Sequence, residues 1–193
     1  NYCIYSLKEN KCLSASIYSD IKIYDEKYFV CKLADTAFNG NCTLLDNKLN
    51  PIIPFGSYKE IIVSDNLQYA IVQGEKIKKR LRINFQDTST VESEVNTCGI
   101  YSLKDKKLSV PLMYSSIKFI PESDNAIVTD YSILRDTYDE NNYVGLHFCI
   151  DMNGQIKSDE KFDYVGPYNE KGLAVANYSL KFKKDNSLHY KVI

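Results

Sequence analysis

The chain has 193 residues, with 24 basic against 25 acidic side chains and a formal net charge of −1. That balance gives no basis for a nucleic-acid partner or an anionic membrane surface, and no apolar run approaches the roughly 20 residues that a membrane-spanning helix needs. With 44% hydrophobic residues, 16 Tyr and no Trp, it is long enough to bury a core without metal or disulfide, and its Ile, Val and Tyr favour strands over helices.

Four segments of the chain align with one another without a gap. The first, 4–32, opens with Ile4-Tyr5-Ser6-Leu7 and places Tyr18 fourteen residues on. Ile21 follows three residues later, and the segment closes on Val30-Cys31. A connector, 33–43, leads to the second unit, 44–72. It carries Leu44-Leu45 at its start, a turn at Asp46-Asn47-Lys48, then Tyr58, Ile61 and Ala70-Ile71-Val72. In the second connector, 73–99, the basic run Lys76 to Arg82 reads as a solvated loop or a charged edge strand rather than a phosphate-binding patch.

The third unit, 100–128, repeats the opening of the first as Ile100-Tyr101-Ser102-Leu103-Lys104. Tyr114, Ile117 and Ala126-Ile127-Val128 stand at the recurring offsets. The third connector, 129–147, carries Tyr131, Arg135, Tyr138 and Tyr143 around an acidic stretch from Asp136 to Glu140. That stretch lacks the spacing and central glycine of an EF-hand and reads as a solvated loop. In the fourth unit, 148–176, Phe148 to Asp151 reads as a strand and Asn153-Gly154 as a hairpin turn, with Gln155 to Lys157 returning. Phe162-Asp163-Tyr164-Val165 and Gly172 to Ala176 form a second strand pair. The closing residues, 189–193, read as the opening strand of a fifth, truncated unit or as a closing strand.

No stretch holds a helical apolar period over three turns. The expectation is therefore an all-β chain, 1–193, built as one tandem array of four β-hairpin-type repeats with little helix. A unit of three or four short strands cannot bury its own apolar face, so neighbours must stack. A curved array, a propeller-like ring and a paired-sheet solenoid all satisfy that need.

The fourth unit resembles the WG (Trp-Gly) repeat family of bacterial proteins. Phe148-Cys149-Ile150-Asp151-Met152-Asn153-Gly154-Gln155-Ile156 is similar to the family's opening, and Phe162-Asp163-Tyr164-Val165-Gly166-Pro167-Tyr168 to its middle. Glu170-Lys171-Gly172-Leu173-Ala174-Val175 is similar to its close, with one residue inserted. The Trp-Gly dipeptide itself is absent. Tyr2-Cys3, Cys42-Thr43, Cys98-Gly99 and Leu146-His147 stand in its place, which assigns Cys42 and Cys98 a packing role.

Chemistry is sparse. The sequence has no Walker loop, GxGxxG, GxSxG or HExxH. The six cysteines form no CxxC, and His147 and His189 complete no zinc-ligand spacing. The cysteines read as free thiols packed as small hydrophobes, which favours a cytoplasmic location and leaves a secreted or periplasmic one open. We expect no catalytic residue, no metal and no cofactor; His147, beside a strand, reads as a partly packed residue rather than a general base. The leading expectation is a non-catalytic binding or scaffold protein with another protein as its partner. Its contacts would come from the long connectors through Tyr131, Arg135, Tyr138 and Tyr143, because Tyr and Arg dominate interface hot spots. An immunity or inhibitor protein for a cognate bacterial toxin is the first alternative, and a carbohydrate-binding or hydrolytic protein with its site in a connector is the second.

Overall fold

A computed structural model describes residues 1–34, 40–82, 90–135, 144–158, 161–162, 164–167, 169, 171, 173–177 and 190–192. Among them there is no helix. The chain is all-β, in antiparallel sheets none of which closes into a barrel. It divides into two compact units. One comprises Asn1–Glu75 with Tyr101–Leu108, the other Lys76–Ile100 with Ser109–Ile193.

In the first unit the strands are β1 (Tyr5–Ser6), β2 (Lys11–Cys12), β3 (Tyr18–Tyr24), β4 (Tyr28–Leu33), β5 (Cys42–Asp46), β6 (Pro51–Tyr58), β7 (Glu60–Val63) and β8 (Tyr69–Gln73). β1 and β2 form a short hairpin, and reciprocal backbone bonds between Tyr2 and Tyr18 tie the segment ahead of it to the start of β3. A four-stranded sheet runs β3-β4-β5-β6, and β7 pairs with β8. Ile4, Tyr18, Cys31 and Leu45 are buried together, with Ile21, Phe29, Leu33 and Leu49 packed against them. The recurring sequence positions are therefore the inward-facing ones.

The chain continues as β9 (Ile77–Arg82), β10 (Thr90–Val95), β11 (Cys98–Ser102), β12 (Lys107–Tyr114), β13 (Ser116–Phe119), β14 (Asn125–Arg135), β15 (Val144–Asp151), β16 (Tyr164–Val165), β17 (Val175–Asn177) and β18 (Tyr190–Val192). The basic run in the second connector is a strand, not a loop: β9 pairs with β10 from Ile77↔Val95 to Arg82↔Thr90. The third connector is also largely strand, since β14 extends to Arg135 and pairs with β15 across a register shift between Asp130 and Leu134. In the second unit Ile100, Val110, Tyr114, Ile117, Val128, Phe148 and Ile150 are all buried.

The sheets are out of step with the sequence repeat. In the first unit β3 and β4 close repeat one, β5 and β6 open repeat two, and all four share a sheet. In the second unit β13 and β14 of repeat three bond to β15 of repeat four. β16 and β17 of repeat four bond to β18, with Val175↔Val192 and Asn177↔Tyr190 in register. Of the closing segment, the described strand β18 thus pairs with the closing strand of the fourth repeat. The cause is the hairpin edge: the closing strand of each repeat presents a row of unpaired N–H and C=O groups, and the next opening strand satisfies them.

The turn after each opening strand follows one plan. Asp46 Oδ1 accepts from the backbone N–H of Lys48 at 2.9 Å and Asn50 at 2.8 Å. Asp151 Oδ1 accepts from Asn153 and Gln155, both at 2.9 Å. Ser6 and Ser102 do the same more weakly, accepting from Glu9 and Asp105. Each of these turns then passes through a left-handed residue: Asn10, Leu49, Lys106 or Gly154. Short polar side chains that bond the backbone ahead of them make such turns cheap.

Candidate functional site

The opening strands β5 and β11 each begin two residues ahead of their repeat's first apolar position, at Cys42 and Cys98. Cys42 is buried, and its Sγ donates to the Lys59 carbonyl at 3.0 Å. Cys98 is buried at the equivalent place, and its Sγ donates to the Ser115 carbonyl at 3.6 Å. Burial pushes the Cys42 thiol up from its ordinary value. A buried thiol raised in this way and tied to a backbone carbonyl is a poor nucleophile, which gives Cys42 a packing place, and Cys98 is buried and carbonyl-bonded in the same manner. Gly99, next to Cys98, has no room for a side chain, since a Cβ would lie 2.5 Å from the Val110 carbonyl oxygen. In the second repeat Thr43 takes that place, with its hydroxyl bonded to the Ile53 carbonyl at 2.7 Å. The β5–β6 pairing there is broken by register shifts on either side of Leu44.

Cys42 also floors a recess. In the first unit a recess of about 240 Å³ lies over the row Asp20, Lys32 and Cys42, cross-strand neighbours on β3, β4 and β5. Lys22, Lys59, Glu60 and Gln73 complete its rim, and Val30 and Ile61 its apolar floor. Three ammonium and two carboxylate groups thus surround one opening, and none of the five is in an ion pair among the described residues. Charged side chains gathered without mutual pairing in a concave, partly apolar site are what a polar ligand group needs to be held by direct bonds.

A second recess lies at the matching row of the second unit, over Ser116, Thr129 and His147 on β13, β14 and β15. Here the row knits itself together. The Ser116 and Thr129 hydroxyls lie 2.7 Å apart, and Thr129 Oγ1 lies 3.0 Å from His147 Nδ1. Only about 40 Å³ remains, close to the space of a single water. The three form a cross-strand ladder in which Thr129 links Ser116 to the imidazole. His147 is half-buried in that ladder.

Tyr131 and Arg135 lie on β14, at the far end of the β14–β15 hairpin from the core. Tyr138 and Tyr143 fall outside the described residues. The recess in the first unit was not legible in the sequence, because its charged residues are scattered over β3, β4, β7 and the link between β6 and β7. The one available signal is their common repeat position, which Asp20 and Lys22 share with Ser116 and Lys118. Among the described residues no cluster of three His, Cys, Asp or Glu side chains is arranged to hold a metal, and no helix is long and apolar enough to cross a membrane.

No family model matches the chain, and none of the curated proteins does. Among solved structures, a chain from a crystal structure of a eukaryotic initiation factor is similar with a TM-score of 0.45 at 16% identity. The match covers 76% of this chain and 33% of that one, and likeness at that level carries no argument about function.

Proposed function

We propose that this chain is a non-catalytic binding protein built on WG-like β repeats, and that its partner is another protein engaged through the charged recess of the first unit. The observation that supports this reading is the ring of Asp20, Lys22, Lys32, Lys59 and Glu60, unpaired around an opening of about 240 Å³. An opening of that size takes one or two side chains of a partner. Mixed charge at the rim suits a segment carrying both signs, and such complementarity sets specificity and encounter rate. The thiol at the floor is protonated and hydrogen-bonded, so the recess offers recognition without chemistry. Tyr131, Arg135, Tyr138 and Tyr143 would supply a second, aromatic contact from the third connector.

The test is affinity capture from the source cells with the wild-type chain, with Lys32→Glu/Lys59→Glu, and with a chain lacking 130–144. Binding of the recovered partner is then measured by calorimetry with each purified chain. The reading expects one partner bound stoichiometrically and a loss of at least about tenfold, or 1.4 kcal/mol, on charge reversal. A partner that binds the charge-reversed chain undiminished removes the recess from the interface. If the 130–144 deletion binds as well as wild type, the connector contact is removed.

A further inference from the structure

Two of the six cysteines differ from the rest in placement. Cys31, Cys42 and Cys98 are buried, Cys3 and Cys149 are half-buried, and Cys12 is exposed. Cys3 lies just ahead of β1 and Cys12 at the end of β2, and their Sγ atoms lie 2.7 Å apart. That separation is close to the disulfide bond length of about 2.05 Å, and the pair is open to a small oxidant. The hairpin has only two residue pairs, Tyr5↔Cys12 and Ser6↔Lys11. Further ties are the Leu13–Ile4 backbone bond, the Ile4 N–H to Ser14 Oγ bond, and the Tyr5–Asn10 and Ser6–Glu9 bonds across its turn.

We propose that Cys3 and Cys12 form a reversible disulfide modification site that clips this N-terminal hairpin, with a low-molecular-weight disulfide as oxidant. One thiolate attacks the small disulfide, giving a mixed disulfide and releasing one small thiol. The second thiolate then attacks the protein sulfur of that bond, closing Cys3–Cys12 and releasing the other small thiol. Two protein thiols are oxidised, one small disulfide is reduced to two thiols, and the two thiol protons leave with the products. Burial pushes the Cys31 thiol up to about 11 and raises Cys42 and Cys149, and the contact with Cys3 raises Cys12 as well, so what sets Cys3 and Cys12 apart is the approach of their sulfurs and the exposure of Cys12.

The experiment equilibrates the full chain with oxidised and reduced glutathione, followed by thiol alkylation and peptide mass mapping. A Cys3–Cys12 cross-linked peptide is expected, with four thiols still alkylated and the two others recovered on adding dithiothreitol. The thermal midpoint of the oxidised chain should rise, while Cys3→Ser should instead accumulate glutathione on Cys12 and show no rise. Six alkylated thiols under oxidising glutathione would overturn the proposal, and so would separate glutathione adducts on Cys3 and Cys12 without a linked peptide.

Discussion

At Gly99 the absence of a side chain is set by its neighbours. A methyl group there would meet the Val110 carbonyl oxygen and the Pro111 carbonyl at 2.5 and 3.0 Å, backbone atoms that cannot swing aside. Gly99→Ala should cost about 2–3 kcal/mol in chemical denaturation, the upper part of the range for overpacking. The left-handed turn residues separate backbone strain from packing. Lys106 has φ 52° and an exposed side chain, so Lys106→Gly should raise stability by roughly 0.5–1 kcal/mol. Leu49 has φ 65°, yet its side chain packs on Ile4, Tyr18, Cys31 and Leu45. Leu49→Gly should therefore lower stability, because lost burial of about 1–2 kcal/mol outweighs the relieved strain. Equal responses at the two positions, read from urea midpoints, would show that the turns and not the packing dominate.

The elements repeat their energetics as well as their geometry. Asp46 and Asp151 are held below their ordinary value of 3.8, first through the hydrogen bonds given by Asn50 and Gln155 respectively. A carboxylate lowered in the folded state stabilises at pH above its ordinary value, and that contribution is lost as pH falls through the folded value. An asparagine keeps the accepting oxygen and drops the charge. Asp151→Asn should thus be less stable than wild type at neutral pH, and the gap should close on acidification below about 3.8. A gap independent of pH would assign the effect to geometry alone. Leu44 and Ile100 are fully buried at the same repeat position, and either one changed to Ala should cost about 2–5 kcal/mol.

How far the sequence reaches is visible in these same elements. The buried positions were legible, because Tyr18, Tyr114 and Phe162 recur at one offset and all lie in the core. Tyr58 at that offset is only half-buried. The Asn153-Gly154 turn was legible from turn chemistry. Two features were not. The connectors 73–99 and 129–147 lack the repeat pattern, yet β9–β10 and the extended β14–β15 pair through them, since backbone pairing needs no particular side chain. The charged recess escaped for the opposite reason: Asp20, Lys32, Lys59 and Glu60 read as solvated surface until pairing brings them to one opening.

For the molecule as a whole, the repeat is a unit of sequence but not of structure. The sheets β3-β4-β5-β6 and β13-β14-β15 each take the closing hairpin of one repeat and the opening strand of the next. A chain cut at a repeat boundary should therefore lose more than its share of stability, because each cut strips a sheet of its partner strands. Residue-resolved amide hydrogen exchange measures this directly. Amides that bond across the repeat boundary, in β4 with β5 and in β14 with β15, should be protected as strongly as those of the hairpins β3–β4 and β13–β14. Protection that drops by an order of magnitude or more at each boundary, about 1.4 kcal/mol in opening free energy, would contradict the offset and make each sequence repeat its own folding unit.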